Sequence, residues 1–151
     1  MNLEAFRALV EENRQWFAGV HPEPVETLDA AEQALRCELP QSLRWMLGTL
    51  GYSAACGIDS LDEVVAATLR CRAAFGMPYR YVLLNDWGDA GVVVMEVARG
   101  LDPERWPIFW MAVHNLYRVA GGQLIDTDCD RFDGFVEWVR GRLRVAMEDV
   151  S

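Results

Sequence analysis

A change of period near Tyr79 constrains this chain more than any other feature. Before it, apolar residues recur at helical spacing. After it, they come in short runs separated by turn residues. Leu3, Phe6, Leu9, Val10 and Phe17 predict an amphipathic helix over 3–17, stopped by Gly19, with His21-Pro22-Glu23-Pro24 as an extended connector. Leu28, Ala31 and Leu35 predict a second helix, capped by Thr27 or Asp29. Pro40 suits the first position of a third, whose stripe is Leu43, Met46, Leu47 and Leu50 and whose stop is Gly51. Ser60 followed three residues later by Glu63 opens a further helix, running through Val65, Leu69 and Arg72 to Phe75 and ending at Gly76.

Beyond Tyr79, strands are predicted at 81–84 and 92–95 around the loop 85–91, and then at 108–111, 116–119 and 123–125. Asn115 and a Gly121-Gly122 hairpin turn separate the last three. The short connections imply an antiparallel meander. A closing helix is predicted with Asp130 as its cap and Phe132, Phe135, Val136, Val139 and Leu143 as its apolar face; Trp45 and Trp138 sit off the apolar stripes of their helices. The expected architecture is α+β: N-terminal helices and a C-terminal helix packed on one face of an antiparallel sheet. At 151 residues the chain makes one domain, with 1–24 as an N-terminal helix and linker and 25–151 as the body.

Charge narrows the function. The net charge is −9, so the average field repels phosphate and nucleic acid is not an expected partner. All fourteen cationic residues are arginine. No apolar run is long enough to span a bilayer, so no membrane role is expected. An acid at position four and the lack of a cationic leading segment argue against a secretory signal, so the expected compartment is the cytoplasm. Cys37, Cys56, Cys71 and Cys129 are scattered without a C-x-x-C pair, and Cys37 and Cys71 read as small buried hydrophobes. His21 and His114 lie far apart. Nothing in the linear order favours a nucleophile–base pair, so neither catalysis nor a cofactor is expected. Glu32 reads as a structural acid, capping or paired with arginine.

Two acidic stretches stand out as candidate sites. One is Asp126-Thr127-Asp128-Cys129-Asp130, followed by Asp133 and Glu137. Its alternating aspartates resemble a calcium-loop spacing, but Arg131 occupies the position that needs glycine, and no metal is expected. The acids also suit the start of the last helix, and their surplus suits a cationic partner. The other is the hairpin tip Asp86-Trp87-Gly88-Asp89, where the acids and glycine serve the turn while Trp87 either folds back or stays exposed as an interface anchor. Tyr52 is the second candidate anchor.

Three motifs in order resemble the SUKH superfamily: Leu28, Glu32, Leu35, Leu39-Pro40 and Leu47 to Gly51; the hairpin 85–91; and Phe132-Asp133-Gly134-Phe135-Val136-Glu137. The likeness covers about residues 25 to 140. Leu50 departs from it, standing where the family often has asparagine. The resemblance implies a binding protein rather than an enzyme: an immunity protein that neutralises a cognate bacterial toxin, such as a nuclease, from a polymorphic or contact-dependent system. Its partner surface would be the acidic stretches with Tyr52 and Trp87, facing a cationic toxin. Two other readings stay open, an interaction scaffold, which includes a homodimer through an exposed aromatic face, and a small-ligand or metal sensor.

Overall fold

The structure, a computed structural model, describes residues 3–17, 21–52, 56–126 and 129–150. Six helices and four strands form an α+β domain: α1 (Leu3–Glu12), α2 (Val25–Leu35), α3 (Gln41–Thr49), α4 (Leu61–Phe75), β1 (Tyr81–Asp86), β2 (Val92–Glu96), β3 (Ile108–Met111), α5 (His114–Ala120), β4 (Asp130–Phe132) and α6 (Phe135–Val150). The strands pair antiparallel in the order β1-β2-β3-β4, the predicted meander. Among the described residues no helix is long and apolar enough to cross a membrane.

The run Val92-Val93-Val94-Met95 is buried on both faces. That explains why it does not alternate between apolar and polar residues. Val93 and Met95 face the main core with Phe6, Leu28, Leu35, Met46, Phe135 and Val139, drawn from α1, α2, α3 and α6. Val92 and Val94 face a second core with Tyr81, Leu83, Phe109, Leu116 and Val119. Helices therefore cover both faces of the sheet, where the sequence predicts one. A bulge at Leu84 sets the register of β1 against β2.

The second face is covered because 116–119 is helical rather than a strand. Leu116 and Val119, three residues apart, share the buried side of α5, while Tyr117 is exposed. A four-residue apolar run is compatible with either period, and packing decides it. Residues 123–125 are not a strand, and Gly121-Gly122 ends α5 instead of turning a hairpin. The fourth strand is Asp130–Phe132, so Asp130 is a strand residue rather than the cap of the last helix. Gly134 separates strand from helix with φ +116°, and a Cβ there would collide with the Glu104 carbonyl oxygen. Trp138 is not off the stripe of α6 but fully buried.

Long-range contacts hold the N-terminal elbow. Pro24, rather than Thr27 or Asp29, occupies the N-cap of α2, and its carbonyl accepts from the N–H groups of Thr27 and Leu28. Pro40 stands at the N-cap of α3, one position before the first helical residue. Glu32 accepts from the Leu39 N–H at 2.7 Å and pairs with Arg44, which also reaches Asp29 at 2.8 Å. Glu104 supplies the missing cap of α3, accepting from the N–H and hydroxyl of the buried Ser42. Ser60 caps α4 as predicted, accepting from the Glu63 N–H at 3.3 Å, and Gly76 ends it. The buried face of α4 is Leu61, Val64, Ala67 and Thr68, rotated from the predicted stripe, so that Leu69 is exposed. Thr68 accepts from the Leu83 N–H, and the Asp59 N–H donates to the Leu84 carbonyl, closing the free edge of β1.

Replacing Glu104 with alanine strands the buried Ser42 hydroxyl, and the expected loss of stability is about 1–3 kcal/mol. Urea unfolding of Glu104→Ala and of the milder Glu104→Gln checks this, with Glu104→Gln falling between wild type and alanine.

Candidate functional site

The hairpin between β1 and β2 is shaped by local backbone chemistry. Asp86 accepts from the Gly88 N–H at 2.9 Å, the Trp87 N–H donates to the Gly91 carbonyl, and Gly88–Ala90 form a single 3-10 turn. This is the turn role expected of Asp86. Asp89 has no such bond among the described residues and stands exposed at the tip.

Trp87 folds back and is half-buried. Its ring meets Trp110 edge-on at 5.2 Å and lies 6.4 Å from Trp138, centroid to centroid. Trp138 also packs edge-on against Phe132 at 5.0 Å, and its indole N–H donates to the Cys56 carbonyl at 2.7 Å. The Trp110 indole N–H donates to the Ala90 carbonyl at 2.8 Å, which ties β3 to the hairpin tip. The Arg142 guanidinium lies over all three tryptophans, 5.3, 5.5 and 5.9 Å from the centroids of Trp87, Trp110 and Trp138. This aromatic group gathers side chains from the hairpin, β3, β4 and α6.

Beside it lies an open trough of about 350 Å³, lined by Asp89, Ala90, Gly91, Trp110, Cys129 and Asp130, among others. Register explains the meeting. Trp110 pairs with Asp130 across β3 and β4, while Val92 at the foot of the hairpin pairs with Met111. The two acidic stretches, about forty residues apart in sequence, thus each place one aspartate on the same trough.

The other candidates fall elsewhere. Asp126 is held by α5: its N–H donates to Asn115 Oδ1 at 2.9 Å, and its carboxylate lies 3.8 Å from His114 Nε2. Tyr52 packs half-buried against the main core and does not line the trough. Asp128 lies outside the described residues. Sequence reasoning passed over Arg142, and it set Trp138 off the apolar stripe of its helix. The signal that could have found them was the spacing of Trp138 and Arg142, one helical turn apart on α6.

No group of His, Cys, Asp and Glu residues among those described is arranged to hold a metal ion. The four cysteines form no disulfide; Cys56 is buried, while Cys37 and Cys71 are half-buried rather than fully buried as predicted. Burial pushes the Cys37 thiol from its ordinary 9.0 up to about 11, and it pushes the Cys71 thiol up as well. Both are therefore neutral, weakly nucleophilic thiols at physiological pH. No known family model matches the chain, and no curated protein sequence matches it.

Backbone strain and thiol burial each have a measurable consequence here. Gly91 sits at φ +106° and ψ −178°, and a Cβ there would lie 2.9 Å from both the Met111 carbonyl oxygen and Trp110 Nε1. Gly88, also at positive φ, has open space where its Cβ would stand. Gly91→Ala should therefore cost more than about 2 kcal/mol and shift Trp110 fluorescence, whereas Gly88→Ala costs about 1 kcal/mol, as unfolding curves read by fluorescence would show. The folded Cys37 thiol titrates above its unfolded one, so the stability it contributes is complete below pH 9 and declines as pH rises through about 11. Melting temperatures measured across that window should fall less steeply in Cys37→Ala than in wild type.

Proposed function

We propose that this chain is an immunity-type inhibitor of the SUKH kind, acting in the cytoplasm by binding a cognate toxin whose surface is cationic. The observation that carries this reading is the convergence of Asp89 and Asp130 on one open trough beside half-buried tryptophans. Neither acid has an ion-pair partner within 4 Å among the described residues. Carboxylates left unpaired on a protein of net charge −9 are free to steer a cationic partner and to speed its association. Trp110 and Trp87 supply apolar surface next to them, the composition of an interface whose centre is aromatic and whose rim is charged.

The partner face is accordingly the hairpin end of the sheet, with Asp89, Asp130, Trp87 and Trp110 at its centre and Asp86 at its margin. Asp126 contributes only to the general field. Tyr52 is set aside as an anchor because it does not line this end. The reading needs no cofactor and no catalytic step. A toxin active on nucleic acid fits it well, since such an enzyme carries a cationic cleft that an acidic face can occlude.

The test is capture of the protein encoded by the adjacent reading frame, followed by association kinetics. The double reversal Asp89→Arg with Asp130→Arg should slow association about tenfold or more at low salt, and the difference should shrink as salt rises. Asp126→Arg should slow it less. An unchanged association rate in the double variant would remove the trough from the binding face. Capture of housekeeping proteins alone, with no protection against the adjacent product, would replace the inhibitor reading with that of an interaction scaffold.

A further inference from the structure

The chain holds two half-buried arginines against aromatic rings, and they differ in one respect. Arg72 lies 4.8 Å from the centroid of the Tyr79 ring and spends its η nitrogens on carbonyls, donating to Leu35 at 2.9 Å, Tyr79 at 3.0 Å and Tyr81 at 3.4 Å. It is a structural tie. Arg142 lies over Trp87, Trp110 and Trp138, and its η nitrogens donate to no described residue; the Nε atoms of both arginines are buried without a partner, so the difference lies in the η nitrogens. Its stem is packed, since a Cβ on Gly57 would come within 3.3 Å of Arg142 Cγ and Cδ. The head is therefore positioned by contacts that leave its hydrogen-bonding capacity unused.

A half-buried guanidinium is best satisfied by an acid opposite its η nitrogens, and none of the described acidic residues is placed within 4 Å of those of Arg142. Arg44, Arg131 and Arg140 each have such a partner. An apolar side chain would cover the tryptophans without holding an unpaired charge against them.

We infer that Arg142 is a carboxylate-binding anchor, held ready on the tryptophan cluster to receive an aspartate or glutamate side chain from the partner protein. The inference rests on the inhibitor reading for the source of the carboxylate, though not for the recognition itself. A planar guanidinium pre-set on aromatic surface loses little freedom on binding and presents paired donors that match a carboxylate. Trp110 is common to the Arg142 cluster and the acidic trough. The partner thus presents a basic residue to Asp89 and Asp130 and an acidic residue to Arg142. Opposite charges side by side fix orientation as well as attraction, because a rotated or wrongly charged partner meets like charge.

The probe is sodium acetate, titrated into the ¹⁵N-labelled full chain against sodium chloride at matched ionic strength. The readouts are the Arg142 Nε–H resonance and the indole N–H resonances of Trp87 and Trp110. A saturable shift specific to acetate is expected, and in Arg142→Lys the indole response should need about tenfold more acetate or disappear, since an ammonium lacks the paired donors. A wild-type Arg142 resonance that merely tracks the chloride series overturns the inference. So does an indole titration unchanged in Arg142→Lys. The wild-type arm needs no variant, so it decides the matter even if the substitution misfolds. An acetate response without capture of the adjacent product would sink the inhibitor reading alone. Capture with no acetate response would sink only the anchor.

Discussion

Trp138 is the residue on which this end of the molecule depends. It is fully buried, its indole N–H is satisfied by the Cys56 carbonyl, and its ring touches Trp87, Trp110 and Phe132. A single side chain on α6 thereby ties the hairpin, β3, β4 and the segment before α4 to the main core. Truncating a buried aromatic of this size typically costs about 3–5 kcal/mol. Here the consequence would extend beyond stability, because Trp87 and Trp110 are positioned against that ring and Arg142 is positioned against all three.

The sheet is finished by helices that come from both ends of the chain. With β2 buried on both faces, two cores must be filled, and α5 supplies what the second needs through Leu116 and Val119. The edges are treated differently. Thr68 and Asp59 close β1. β4 is three residues long and begins Asp130-Arg131, a short and charged edge of the kind that resists pairing with another chain. That charged edge also forms one wall of the trough, so the residues that keep the sheet from extending lie where a partner is proposed to dock.

The charged side chains show a division of labour. Acids that serve the backbone are engaged: Asp86 in its turn, Glu32 in the elbow and Glu104 at the start of α3. Asp89 and Asp130 are not. The same holds for the arginines: the η nitrogens of Arg72 are spent on carbonyls, while those of Arg142 donate to no described residue. Asp89, Asp130 and Arg142 neither cap, tie nor pair among the described residues, and all three lie beside Trp110, where the partner is proposed to dock.

By itself the sequence determined the elements that local physics specifies. The α2–α3 elbow, the Ser60 cap with its Gly76 stop, the β1–β2 hairpin and β3 were all legible, because capping, turn chemistry and apolar period act over a few residues. It misplaced 116–119 and 123–125, where short apolar runs carry no decisive period, and it made a helix cap of Asp130, whose strand exists only through pairing with β3. The candidate site was half legible: the acids and Trp87 could be named, but nothing local says that Asp89 and Asp130 share a trough while Asp126 and Tyr52 do not. Strand register and the burial of Trp138 decided that, and both are contacts between residues far apart in the chain.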